Sequence, residues 1–156
     1  MRIFTVAFAA AVIALAGSAS ALEVKKTVEL DGKVADVWGK IGGWCAIAKW
    51  HPVIAKCAES KEGKTQKRTL TTKDGGVIKE TMTKQSKTSY SYKIDESPLP
   101  VSNYTASFAA ASSKKGKVTV TWSARFQEKK GTKPEDAKKV IEGVIGGGLD
   151  AIKAGK

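Results

Sequence analysis

Histidine, cysteine, methionine and proline are the scarce residues of this chain, with one His, two Cys, two Met and four Pro in 156 residues. Each scarcity removes a class of function. A single histidine and two cysteines supply too few ligands for a structural zinc site. No Cys-x-x-Cys-His run is present to attach a haem, and neither a Gly-rich phosphate loop nor a nucleophile elbow occurs. Arginine is confined to Arg2, Arg68 and Arg125, so the basic side of the charge balance is lysine. Lysine gives a diffuse field rather than bidentate recognition. Beyond the first residues no apolar run is long enough to span a membrane.

What the chain does have is positive charge, 27 Lys and Arg against 15 Asp and Glu, for a formal net charge of +12. The lysines are scattered through turns and strand faces, without a helix-turn-helix, zinc-finger or base-stacking signature, so nucleic acid is not the expected partner. An acidic protein or an anionic membrane surface fits such a balance better, and plain solubility is the simplest use of the same charge.

Met1-Arg2, the apolar run from Ile3 to Ala16 and the small residues Ala19-Ser20-Ala21 follow the order of a secretory signal peptide. The expectation is cleavage after Ala21, with residues 1–21 a leader and residues 22–156 one exported domain, periplasmic in a bacterium. A mature length of about 135 residues suits one core.

The densest stretch runs from Trp44 to Cys57 and holds both cysteines, two of the four tryptophans and the lone His51. Trp50-His51-Pro52 stops a helical pattern, because proline disfavours the helical region for the residue before it. Val53-Ile54-Ala55 then starts a strand-like run, which predicts a helix-to-strand corner walled by aromatic groups. Cys45 and Cys57 are spaced to bridge that corner. Two buried free thiols are the other reading, and an oxidising compartment favours the bridge. A catalytic thiol is not expected, since no Asp or Asn is arranged to orient His51 beside it.

Leu22, Val24, Val28 and Leu30 alternate with polar residues, as a strand with one wet face does. Val34, Val37, Trp38 and Ile41 recur at helical spacing until Gly42-Gly43, and a second short helix is expected over about Cys45 to Lys49. Turn signals at Glu62-Gly63, Asp74-Gly75-Gly76, Ser97-Pro98-Leu99-Pro100 and Lys115-Gly116 then cut the chain into hairpin-linked strands. These are Val53 to Ser60, Thr65 to Thr72, Val77 to Gln85, Thr88 to Glu96, Ser102 to Ser113 and Lys117 to Glu128. A final helix begins at Thr132-Lys133-Pro134-Glu135, with Thr132 as cap and Glu135 completing a capping box. Ala137, Val140, Ile141, Val144, Leu149 and Ile152 form its apolar side. Gly146-Gly147-Gly148 within it predicts close approach to the sheet, a bend, or room for something bound, because each glycine costs about 1 kcal/mol against alanine there.

This order of elements predicts an α+β helix-grip fold: two short helices after the first strand, and a curved antiparallel sheet of about seven strands around a long C-terminal helix. Particular residues sharpen it: the Trp-His-Pro corner, Arg68-Thr69-Leu70, Asp74-Gly75-Gly76 with Glu80, Tyr90-Ser91-Tyr92, Pro98-Leu99-Pro100-Val101 with Asn103-Tyr104, and Trp122 near Phe126. Across the whole mature chain these motifs resemble the START-related (SRPBCC, Bet v 1-like) superfamily that holds the polyketide cyclase/dehydrase and lipid-transport proteins, in its short exported branch. The signal peptide, size and basic character are further similar to periplasmic accessory proteins of bacterial methanol oxidation. That resemblance implies an acidic periplasmic partner, methanol dehydrogenase or its cytochrome c acceptor, and help in coupling the two without chemistry of its own.

The helix-grip order places a cavity between sheet and helix, with Trp50, His51, Arg68, Glu80, Tyr90, Tyr92, Tyr104 and Trp122 as its candidate lining. A three-residue turn at Asp74 to Gly76 would make Arg68 and Glu80 diagonal neighbours, able to orient a polar ligand head or to satisfy each other. Aromatic residues at alternating positions are more often core than ligand cage. An enzyme of cyclase or dehydratase type would use His51 as general base with Glu80 or Tyr92 as acid. A histidine before proline at a corner more often packs and hydrogen-bonds, so no catalytic residue, metal or cofactor is expected. A small hydrophobic ligand or lipid in the cavity is the alternative function.

Overall fold

The last strand of the sheet shows most plainly how sequence pattern becomes core. In Lys117–Glu128 (β7) the inward residues Val118, Val120, Trp122, Ala124 and Phe126 are all at most 4% exposed, and polar residues separate them. This strand pairs on one side with Leu22–Asp31 (β1) and on the other with Val101–Ser112 (β6). The computed structural model describes residues 20–114 and 116–156, so the expected leader lies outside the described residues except for Ser20 and Ala21.

From β1 the chain crosses to the far edge of the sheet through two short helices, Val34–Ile41 (α1) and Ile47–Trp50 (α2). It then runs back strand by strand through Ile54–Glu62 (β2), Thr65–Thr72 (β3), Val77–Gln85 (β4), Ser89–Glu96 (β5), β6 and β7. The result is a seven-stranded antiparallel sheet in the order β1-β7-β6-β5-β4-β3-β2. Register shifts in the β2–β3, β4–β5 and β6–β7 pairings give the local bends that curve it. The 20-residue helix Pro134–Lys153 (α3) lies against the concave face, burying Ala137, Ile141, Ile145, Leu149 and Ile152 at spacings of one helical turn. The helix-grip architecture is therefore as expected.

Local differences have local causes. Thr132 does not cap α3: the N-cap is Lys133, extended because Pro134 follows it, and no side chain bonds the first turn. On α3, Ile145 is fully buried and Val140 is 40% exposed, so the stripe that faces the sheet lies about one residue round from the expected one. The β3–β4 turn is shifted by one residue from the expected 74–76, since the Thr72 amide donates to the Gly76 carbonyl at 2.8 Å, closing a loop over residues 73–75, and the ladder continues with Thr71↔Val77. Thr72 and Asp74 hydrogen-bond through their side chains inside it, and Gly75 at φ 89° supplies the left-handed position. This shift of register puts Arg68 directly opposite Glu80 rather than diagonal to it.

Candidate functional site

The aromatic corner is built by restraints that act on successive residues. Gly42 ends α1 with the Trp38 ring so close that a Cβ would meet it at 2.1 Å, so only glycine fits there. The four-residue α2 ends at Trp50, whose indole Nε1 donates to the Ile41 carbonyl at 3.2 Å. Before Pro52, His51 is extended at φ −80°, ψ 125°. A disulfide joins Cys45 to Cys57 with the Cα atoms 5.5 Å apart, tying the start of the corner to β2. The bridged reading of the two cysteines thus holds.

Held this way, the corner pushes its rings into the space between sheet and helix. Trp50 stacks on Phe108 at 5.6 Å and 19°, and Trp122 meets the rings of Trp50 and His51 edge-on, each at 5.9 Å. Trp122 Nε1 donates to the Tyr92 hydroxyl at 3.0 Å, so its polar tip is satisfied within the core. Tyr104 stacks on Phe126, and Tyr90 meets Trp44 edge-on at 5.2 Å. Burial pushes the phenols of Tyr90, Tyr92 and Tyr104 above their usual range, which keeps them neutral.

Arg68 and Glu80 form a buried ion pair, Nε to Oε2 at 2.5 Å. The guanidinium also donates to the Trp44 carbonyl and lies over the Trp44 ring, 3.9 Å from its centroid. Burial opposes its charge, and the Glu80 carboxylate with the neighbouring tyrosines outweighs that, so Arg68 stays a cation. For Glu80 burial is the larger influence and raises its pKa, with Arg68 pulling it back. Among the described residues, Arg68 Nη2 and Trp44 Nε1 are buried without a hydrogen-bond partner.

His51 is only 4% exposed and both ring nitrogens are engaged. Nε2 lies 3.0 Å from the Val144 carbonyl, and Nδ1 accepts the Val53 amide at 3.3 Å. These partners fix the neutral tautomer that carries its proton on Nε2. Burial lowers the pKa of the ring, the Val144 carbonyl opposes this, and the Arg68 charge lowers it further. The ring sits under the glycine run of α3: a Cβ on Gly148 would lie 2.7 Å from His51 Cδ2 and 2.8 Å from Trp122 Cζ3. Close approach is therefore what that glycine permits.

All eight candidate lining residues are at most 4% exposed. The space left between them is about 70 Å³ and is lined by His51, Glu80, Tyr92, Tyr104 and Trp122. Trp50, Arg68 and Tyr90 belong to the packing behind it rather than to its wall. Ile47, Leu70, Leu99 and Val144 are among the other residues of its wall. Of these, Leu99 had a signal in the Pro-Leu-Pro turn, and Val144 in the apolar stripe expected on the last helix. A larger apolar depression of about 350 Å³ adjoins the cavity, sharing Val53, Thr72, Ile78 and Leu99 with it. Among the described residues no cluster of His, Cys, Asp and Glu could hold a metal ion, and no helix is long and apolar enough to cross a membrane.

Comparison with known proteins agrees with this geometry. The family model described as polyketide cyclase/dehydrase and lipid transport matches residues 21–155. Among solved structures, the protein XoxI from Bacillus cereus is 26% identical with a TM-score of 0.79, over 85% of this chain and 94% of its own. An uncharacterised protein from Bacillus thuringiensis is equally similar, 26% identical at TM-score 0.79, covering 86% of this chain and 98% of that one. The Zhui aromatase/cyclase from Streptomyces sp. R1128 shares the fold at TM-score 0.70 and 15% identity, covering 86% of this chain and 93% of that one. No curated protein sequence matches. With one family model spanning nearly every described residue, the chain belongs to the polyketide cyclase/dehydrase and lipid transport family.

Proposed function

We propose that this protein is an exported accessory protein that works by docking onto an acidic partner, in the manner of the MxaD-like proteins that assist methanol dehydrogenase with its cytochrome c acceptor. The observation that carries this reading is the filled interior. Sites that hold drug-sized ligands run to about 300–1,000 Å³, and the cavity beneath α3 is about 70 Å³. Nor is His51 free to abstract a proton, since one nitrogen carries its hydrogen to a carbonyl and the other accepts an amide. Contact by the surface is left, and the chain carries a formal net charge of +12, or +11 once a leader containing Arg2 is removed. The likeness to XoxI over nearly the full length of both chains points the same way. A disulfide supports an oxidising compartment such as the periplasm.

A carrier of a small apolar ligand is the second reading, favoured by the depression next to the cavity, whose wall includes Val53, Ile78 and Leu99. Affinity capture from periplasmic extract, eluted first at low and then at high salt, separates the two. Docking predicts that methanol dehydrogenase or its cytochrome c elutes as salt rises. Release of a lipid or other apolar molecule, with neither protein, would replace the first reading with the second.

A further inference from the structure

The last turns of α1, α2 and α3 each carry a lysine, Lys40, Lys49 and Lys153 respectively. A lysine there offsets the negative end of its own helix. That explains each residue singly but not their meeting. All three line one open groove of about 610 Å³, where β1 ends and α3 finishes. Its floor is apolar, made by Leu30, Val37, Ile41, Trp50 and Ile152. The three lysines are exposed, and none takes part in an ion pair among the described residues. On the same rim Lys117 is paired with Asp31 at 2.7 Å, and Glu29 accepts a hydrogen bond from Ser113 Oγ at 3.0 Å.

We propose that this groove is the docking face for an acidic protein segment. Its carboxylates pair with Lys40, Lys49 and Lys153, and an apolar side chain between them covers the floor. A chain carrying several carboxylates matches three cations better than a ligand carrying one. Covering an apolar floor adds burial to the charge attraction, and the complementary charges fix the register of the segment. The proposal rests on the docking reading and adds to it the face that does the work.

The test compares two variants of equal net charge. One is Lys40→Gln/Lys49→Gln/Lys153→Gln in the groove. The other is Lys61→Gln/Lys64→Gln/Lys84→Gln, exposed residues on the opposite half of the sheet. Binding to purified methanol dehydrogenase and to its purified cytochrome c is measured at low salt for both, with circular dichroism melts to establish folding. The groove variant is expected to bind at least about tenfold more weakly, and the control within about threefold of wild type. Equal losses in both would overturn the groove while leaving docking intact. If wild type binds neither protein, the docking reading fails, and the groove is judged by a synthetic peptide of alternating Glu and Leu. Amide shifts in ¹⁵N spectra confined to the groove, and lost in the groove variant, then support it. Shifts elsewhere or none, as well as displacement of that peptide by free fatty acid, overturn it.

Discussion

Arg68 on β3 and Glu80 on β4 stand directly opposite each other, 2.5 Å apart and almost wholly shut off from water. Their pairing closes the polar side of an otherwise apolar interior. Removing one partner leaves the other as an uncompensated buried charge, which costs about 3–5 kcal/mol. Arg68→Met and Glu80→Leu are each expected to lose stability on that scale, and the double variant to lie closer to wild type than either. Urea unfolding of the full double-mutant cycle checks this, and additive losses would show that the two residues act independently.

His51 should make stability depend on pH near neutrality. Burial lowers its pKa from the ordinary 6.5, so the unfolded chain binds a proton more readily than the folded one. The contribution is therefore fully present above about pH 6.5 and is lost as pH falls through the folded value. Its slope is at most about 1.4 kcal/mol per pH unit. Melts of wild type should fall more steeply from pH 8 toward pH 5 than those of His51→Gln, while parallel curves would place the titration elsewhere.

Two glycines of α3 should respond with opposite signs. A Cβ on Gly143 meets nothing within 4 Å, so Gly143→Ala is expected to stabilise by up to about 1 kcal/mol through helix propensity. At Gly148 the same gain competes with His51 and Trp122 at 2.7 and 2.8 Å, and overpacking a core costs about 1–3 kcal/mol. Gly148→Ala is expected to destabilise, as thermal unfolding will show.

Reducing the Cys45–Cys57 bridge should loosen the corner that seats Trp50 and His51. Closing a loop of this length contributes about 2–4 kcal/mol. Cys45→Ser/Cys57→Ser is expected to unfold at correspondingly lower denaturant, with the far-ultraviolet spectrum of the sheet preserved.

Much of this architecture was legible in the sequence because its elements repeat a period. The bounds of β3, β4 and β7 could be read from alternation and turn residues, since each of these strands has one face in the core. What escaped was set by single contacts. The Arg68–Glu80 register depends on one amide, Thr72, choosing the Gly76 carbonyl, and the start of α3 on Pro134 outweighing a capping box. The candidate lining residues do converge, yet how little space they leave follows from ring orientations that no periodicity specifies. Nor does spacing reveal that Lys40, Lys49 and Lys153, each unremarkable at a helix end, share one groove.

The proposed docking role has the protein acting through its charged exterior and not through a molecule held inside. Titration calorimetry of the mature protein against purified methanol dehydrogenase and its cytochrome c, repeated across ionic strength, tests it most directly. Exposed lysines are screened over about 10 Å near 0.1 M salt, so the account predicts measurable affinity at low salt that falls steeply as salt is added. Binding that ignores salt, or none to either protein at the lowest ionic strength, would contradict it.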